Sequence, residues 1–143
     1  MRLIGLRLFG AMLTLALLAG AATARPDPRK HGIVEQILTR AVLERGAFLA
    51  CARLDTSKQT ANLLVRGWQA DLEDASSLMR ALGYTDDDIR AAADRFDIEK
   101  AAPHFADLAS LGAYCEVLGD WRARLMRLDI ILPQTELRKL LKP

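Results

Sequence analysis

The chain has few of the residues that usually carry catalysis, cofactor binding or nucleic-acid binding. Of its 143 residues only two are cysteines and two are histidines, and aromatic residues make up 6%. Its 20 basic and 18 acidic residues nearly balance, so no global positive charge attracts nucleic acid or an anionic membrane. This length and composition predict one globular domain and exclude a multidomain enzyme or a disordered chain.

The motifs of common enzyme classes are missing as well. The serines lie in no Gly-x-Ser-x-Gly or Ser-x-x-Lys pattern. The glycines are scattered, so no glycine-rich phosphate loop is present. There is no Cys-x-x-Cys, His-Glu-x-x-His or haem-attachment pattern. These absences predict a protein that is not an enzyme and that has no cofactor.

The N-terminus has the three parts of a secretory signal peptide. Two arginines, Arg2 and Arg7, precede an uncharged apolar run over residues 8–20. Small residues follow at Ala22 and Ala24. This layout predicts export and cleavage after Ala24. Since the two arginines are lost with the signal peptide, the mature chain has equal numbers of basic and acidic residues.

Cleavage would release a mature protein into the periplasm or the medium. The alternative is an uncleaved membrane anchor, but the uncharged residues 8–24 are at the lower limit of length for crossing a bilayer. We therefore expect contact with the membrane only through residues 1–24, before cleavage. Residues 25–30 are expected to form a flexible N-terminus, and residues 31–143 a single helical domain.

Export to an oxidising compartment makes a disulfide between Cys51 and Cys115 the expected state of the two cysteines. In an oxidising compartment one pair of cysteines predicts one disulfide, with only one possible connectivity. Such a bond closes a long loop and contributes about 4 kcal/mol in the chain-entropy model. The alternatives are two free buried thiols and a redox or metal-binding pair.

Composition and spacing predict an all-α fold. In residues 25–143 alanine and leucine number 35, against 15 for valine, isoleucine and threonine, which favours helix over strand. We expect a small antiparallel bundle of about four helices, with a possible bend at Gly46. The helices are expected from His31 to about Arg53, from the Asp55–Ser57 turn to Gly83, from a Thr85–Asp88 capping box onward, and from Pro103 to about Arg127, followed by a short C-terminal helix over Gln134–Leu141.

Two groups of polar residues are candidates for metal binding. His104 and Asp107 lie three positions apart, but one histidine and one carboxylate make a weak site, and His31 stands alone. Residues 71–107 contain ten acidic and four basic residues, yet Asp86–Asp88 does not begin the pattern of a calcium loop. We expect no metal site, and cation binding by this acidic region stays open.

A partner-binding surface is the function that the sequence favours. The segment from Trp121 to Arg127 combines arginine, aromatic and methionine side chains, which are enriched at interfaces. Its candidate contacts are Trp121, Arg122, Arg124 and Arg127. The alternative is that these charges pair between helices. We expect an exported, non-catalytic helical bundle that binds a periplasmic or envelope protein.

Two other functions stay open at this point. The first is a carrier or sensor of a small apolar ligand or a metal ion, held in the bundle interior. Its lining would be Trp68, Met79, Trp121 and Met126. The second is an inhibitor of an envelope enzyme that uses the loop Arg53–Lys58, an analogy that rests on size and compartment alone.

Overall fold

The computed structural model describes residues 26–143, and every regular element in this range is a helix. The predicted all-α fold is confirmed, while the predicted signal peptide lies outside the described residues. None of the described helices combines the length and the hydropathy needed to cross a membrane. The helices are α1 (Pro28–Ala52), α2 (Gln59–Ala81), α3 (Asp86–Arg95), α4 (Ile98–Ala101), α5 (Leu108–Leu118), α6 (Trp121–Met126) and α7 (Pro133–Leu140).

The two long helices, α1 and α2, run antiparallel and form the centre of the bundle. Tyr84, just after the end of α2, stacks on His31 at the start of α1, with ring centroids 5.4 Å apart. Further along both helices Arg45 meets Asp71. α4 and α7 pack on this pair. The core residues on the two helices include Val34, Leu38, Ala41, Phe48, Leu64, Trp68, Ala75 and Met79.

α1 begins three residues earlier than the sequence predicts. The carboxylate of Asp27 accepts a hydrogen bond from the backbone N–H of Arg29 at 2.9 Å, and proline suits the first turn that follows. Residues 28–30 are therefore helical rather than part of a flexible N-terminus. The helix then continues without interruption to Ala52.

Gly46 allows α4 to approach α1, and it does not end the helix. A Cβ atom at this position would lie 2.7 Å from the carbonyl carbon of Ala101 and 2.9 Å from the backbone nitrogen of Ala102. Such contacts are with backbone atoms, which cannot rotate away. The glycine that the sequence suggests as a bend is thus a packing requirement.

The capping box at the start of α3 is present as predicted. The hydroxyl of Thr85 accepts from the backbone N–H of Asp88 at 3.2 Å, and the Asp88 carboxylate accepts from the backbone N–H of Thr85 at 2.9 Å. The Thr85 hydroxyl also donates to the Asp88 carboxylate at 2.7 Å, and this hydrogen bond, together with the one from the Thr85 backbone N–H, lowers the pKa of Asp88. Asp86, Asp87 and Asp88 all lie in the first turn, where they face the positive end of the helix.

The predicted helix from Pro103 to Arg127 is wrong as a continuous element. Residues 102–107 are not helical, and the Asp107 carboxylate caps a new helix by accepting from the backbone N–H of Ser110 at 2.7 Å. This bond lowers the pKa of Asp107. α5 then ends at Gly119, whose φ of 61° favours glycine. The predicted segment therefore contains two short helices, α5 and α6.

The predicted disulfide is confirmed, and it joins the end of α1 to α5. The Cα atoms of Cys51 and Cys115 are 5.6 Å apart, and Cys51 is buried in the core. No cysteine among the described residues is free. The bond therefore closes a loop that contains α2, α3 and α4.

The disulfide predicts a matched set of stability losses. Replacing either Cys51 or Cys115 with serine is expected to lower the free energy of unfolding by up to about 4 kcal/mol, because the unfolded chain is no longer closed into a loop. The double variant should lose no more than either single variant. Urea unfolding of the three variants checks this, and additive losses would contradict a shared bond.

Alanine substitutions at two glycines should change the free energy of unfolding in opposite directions. Gly46→Ala is expected to lower the free energy of unfolding by about 1–3 kcal/mol, because its Cβ collides with the backbone of α4. A Cβ atom added at Gly112, inside α5, would meet no other atom within 4 Å, so Gly112→Ala should raise it by about 0.5–1 kcal/mol through helix propensity. Thermal or urea unfolding of the two variants measures both signs.

Candidate functional site

Trp121 belongs to the core rather than to the expected partner surface. Its side chain is buried, and its ring centroid lies 5.9 Å from that of Phe48 in α1. The guanidinium of Arg122 lies over the outer side of the same ring, 5.1 Å from its centroid. The indole therefore anchors α6 to the bundle and is not accessible to a partner.

The three arginines of the expected surface all contact carboxylates. Two of these side chains, Arg122 and Arg127, stay 59% and 61% exposed, and exposed ion pairs contribute little to stability. Their charges are thus available to another carboxylate at small cost. The pairs are Arg122 with Asp55, Arg124 with Glu44 and Arg127 with Asp120.

Arg124 has a structural environment that separates it from the other two. Its guanidinium lies over the Phe48 ring at 5.4 Å from the centroid and contacts Glu44. The second oxygen of Glu44 accepts from the backbone N–H of Ile131 at 2.7 Å. Arg124 and Glu44 together fasten the chain between α6 and α7, so Arg124 is a packing residue.

The most exposed large apolar side chains lie in one stretch of the chain, residues 108–128. Val117 is 88% exposed, Met126 85%, Leu108 74% and Leu128 65%, and no other large apolar side chain in the described range exceeds 55%. Single exposed apolar residues are ordinary, whereas a concentration of them marks an interaction surface.

Two of these side chains lie beside the exposed arginines and define the α6 surface, which consists of Arg122, Met126, Arg127 and Leu128. Met126 follows Arg122 by four residues on α6, so the two are neighbours on its outer side. Leu128 lies two positions after the last residue of the helix. The surface is thus a pair of apolar side chains with two cations beside them.

Leu128 holds an unfavourable backbone conformation. Its φ is 55°, in the left-handed region that glycine usually occupies after a helix. The hydrogen bond from the N–H of Asp129 to the carbonyl of Arg124, at 2.9 Å, closes this turn. The conformation costs a leucine about 1–2 kcal/mol, and its largely exposed side chain gains little from burial in return.

The other two exposed side chains lie on α5. Its inner side carries Leu111, which is buried, and Cys115, while Tyr114 packs on Phe105 with ring centroids 4.9 Å apart. The opposite side of the helix is the α5 outer face. It consists of Ala109, Ala113, Glu116 and Val117, whereas Leu108, seven positions before Cys115, lies on the same side of the helix as that cysteine.

An open groove of about 360 Å³ lies beside the N-terminal end of α5. Ala50 and Arg53 at the end of α1 line one side, and the connection that includes His104 and Phe105 lines the other, together with Leu108. The groove is partly apolar and open to solvent. It brings the cationic side chain of Arg53 to the same end of α5 as Leu108.

The histidines lie in places that do not combine them with metal ligands. The Nδ1 atom of His31 is 2.8 Å from the hydroxyl of Tyr84, and burial raises the pKa of Tyr84 to about 12, with Glu35 adding to the shift. His104 lines the open groove, and its expected partner Asp107 instead caps α5. Among residues 26–143 no three histidine, cysteine or acidic side chains converge on one point.

The residues expected to line a ligand-binding interior do not share a cavity. Trp68, Met79 and Trp121 are part of the hydrophobic core, whereas Met126 is exposed to solvent. The indole N–H of Trp68 donates to the backbone carbonyl of Phe96 at 2.8 Å, which fixes its ring between α2 and the chain after α3.

A buried polar network, which the sequence did not reveal, links α1, α2 and α7. Arg45 is 3% exposed and donates to one oxygen of Asp71 at 2.6 Å, while Gln134 donates to the other oxygen at 3.0 Å. A Cβ atom added at Gly67 would lie 4.0 Å from the guanidinium of Arg45, an ordinary van der Waals contact, so the network does not require this glycine. The network links three helices, with the Arg45 side chain 4% exposed and that of Asp71 15% exposed.

Comparison with known proteins finds no family model, no curated protein and no solved structure that matches this chain. Its function therefore has to be inferred from its own residues.

Removing one member of the buried Arg45–Asp71 pair is expected to lower the stability of the protein strongly. Asp71→Ala is expected to lower the free energy of unfolding by about 3–5 kcal/mol, because Arg45 then carries an uncompensated charge inside the bundle. Replacing both residues, as Arg45→Met with Asp71→Leu, should cost clearly less. Urea unfolding compares the variants, and an equal loss in the double variant would contradict this explanation.

Proposed function

We propose that this protein is exported, loses its signal peptide after Ala24, and acts in the periplasm or outside the cell by binding a partner protein through the α6 surface. It is not an enzyme in this proposal. The observation that carries it is the exposure of Met126 and Leu128, at 85% and 65%, next to two arginines whose ion pairs are exposed.

Two features support export. The charged, apolar and small-residue parts of residues 1–24 follow the order of a secretory signal peptide. The disulfide fits an oxidising compartment, where such bonds form and persist. Together they favour a periplasmic or secreted protein.

The α6 surface indicates the chemistry of its partner. Met126 adapts to irregular apolar surfaces because its side chain is unbranched and flexible, and Leu128 adds a branched side chain near it. Arg122 and Arg127 can exchange Asp55 and Asp120 for carboxylates of a partner, since exposed pairs are weak. We infer a partner segment with apolar side chains flanked by acidic residues.

The backbone at Leu128 gives this proposal independent support. Glycine would satisfy the turn without strain, so the leucine side chain is kept at a cost in stability that no burial offsets. Natural sequences depart from local preferences mainly where function requires it. Binding through the Leu128 side chain is such a requirement.

The two other functions have less support from the described residues. A carrier would need room in the bundle, where Trp68, Met79 and Trp121 fill the core. An inhibitor that uses the loop Arg53–Lys58 would have Leu54 as its apolar contact, and this residue is 40% exposed, less than Met126 or Leu128.

The α6 surface predicts that one substitution separates stability from binding. Leu128→Gly is expected to raise the free energy of unfolding by about 1 kcal/mol, because glycine accepts the left-handed backbone. The same change should weaken partner binding about tenfold or more, since an apolar contact is lost. Urea unfolding measures the first effect. Calorimetric titration measures the second, with a partner captured from the native envelope fraction and then purified.

Matched substitutions test whether the loss is specific to this surface. Met126→Lys should weaken binding as Leu128→Gly does, whereas Leu63→Lys, at a 55% exposed position of α2, should not. Reversing Arg122 and Arg127 to glutamate should also weaken it. A partner retained equally by every α6 variant, or the recovery of a bound lipid, pigment or metal without any protein, would overturn the proposal.

A further inference from the structure

We propose that the partner of the α6 surface is a second copy of this chain, and that the α6 surface docks into a groove on the opposite side of that copy. The inference rests on the proposed function, because it names the partner of the same surface. It is carried by the lining of the groove, by charges that stay unpaired within the chain, and by the placement of the two surfaces on one molecule.

The groove lies between α2 and the segment that joins α3 to α4, and its volume is about 210 Å³. Its lining is largely apolar and includes Leu72 on α2 and Phe96 at the end of α3. The two charged residues that line it, Asp97 and Glu99, are both acidic. The groove therefore offers the apolar and acidic side chains that the α6 surface requires of its partner.

The dimensions of the groove suit one protruding side chain rather than a small-molecule ligand. Pockets for small ligands have volumes of roughly 300–1,000 Å³, and this groove is smaller and open to solvent. Met126 is 85% exposed, and its unbranched, flexible side chain adapts to a narrow apolar surface. Insertion of Met126 would place Arg122 and Arg127, its neighbours on the α6 surface, beside the carboxylates of Asp97 and Glu99.

The charges of the chain are divided between two segments that do not neutralise each other. Residues 71–107 contain ten acidic and four basic residues, whereas residues 122–143 contain six basic and two acidic residues. Among the described residues no ion pair joins a cation of the second segment to a carboxylate of the first, and Glu99 in the groove takes part in no ion pair there. The attraction between the two segments is therefore available to a second copy.

The α6 surface and the groove lie on opposite sides of one molecule. Gly46 of α1 lies against the backbone of Ala101 in α4. Phe48, two positions later on α1, packs on Trp121 in α6. Residues two positions apart are about 200° apart around a helix axis, so α4 and α6 are on opposite sides of α1. The α6 surface cannot reach the groove of its own chain, because α4 forms part of that groove.

Docking between unlike surfaces determines the kind of assembly. Since the two surfaces face opposite ways, two copies cannot satisfy both surfaces reciprocally, and a head-to-tail contact produces a larger ring or an open filament. The contact is small compared with the roughly 1,200–2,000 Å² of a stable interface, because one inserted side chain and a few exposed charges form it. We expect reversible oligomers with a dissociation constant per contact of about 10–500 µM.

Sedimentation velocity tests the association. The protein is produced from its full-length sequence in a bacterial host, purified with its disulfide intact, and measured from about 1 µM to about 500 µM. The sedimentation coefficient is expected to rise with concentration, and species larger than a dimer are expected at the highest concentrations. Raising the salt concentration from about 0.02 M to about 0.5 M should weaken association several-fold, because exposed charges are screened.

Two substitutions disable one surface each. Met126→Lys alters the α6 surface, and Ala93→Lys places a cation in the groove, at an exposed position of α3. Each should weaken association at least tenfold. Ala91→Lys is the matched control, because this alanine of α3 is also exposed but does not line the groove, and it should leave association unchanged. Thermal unfolding checks that the three variants keep the fold.

A mixture of the two disabled variants tests whether unlike surfaces dock. Met126→Lys keeps an intact groove and Ala93→Lys keeps an intact α6 surface, so the mixture should form a 1:1 complex although neither variant associates alone. This complex cannot grow, because both of its outer surfaces are disabled. A contact between two α6 surfaces would instead let the Ala93→Lys variant dimerise alone.

Three results contradict this inference. They are a monomer at every concentration, association that either Met126→Lys or Ala93→Lys leaves unchanged, and the lack of a 1:1 complex in the mixture. If the protein stays monomeric and still retains another protein through Met126 and Leu128, this inference fails and the proposed function stands. If the α6 surface binds neither a second copy nor another protein, both fail.

Discussion

The disulfide between Cys51 and Cys115 is the constraint on which the exposed part of the molecule depends. α5 is an 11-residue helix with apolar residues on both sides, and a helix of this length has little stability of its own in water. Leu111 is its one buried residue. The covalent bond to α1 holds α5 in place, so its outer face is not needed for packing within the chain.

The structure thus has one part whose residues favour stability and another part whose residues lower it. In the first part, Gly46 lets α4 lie against α1, and Arg45 pairs with Asp71 inside the bundle. In the second part, Gly112 weakens α5 without a packing reason, and Leu128 adopts a backbone that suits glycine. Lys58 has a similar backbone at the start of α2, but Gly112 and Leu128 lie in the stretch that exposes the most apolar side chain, which is expected where a protein contacts a partner.

The fold class, the disulfide and the long helices could be predicted because each follows from a property that the sequence shows directly. Helix-forming composition, three- and four-residue spacing and a single cysteine pair each allow one main interpretation. The break before α5 was missed because apolar spacing continues through Phe105 and Leu111. The Asp107 cap and Gly119 were the signals against a continuous helix. The environment of Trp121 depends on Phe48, 73 positions earlier in the sequence, and spacing within one helix cannot show such a contact.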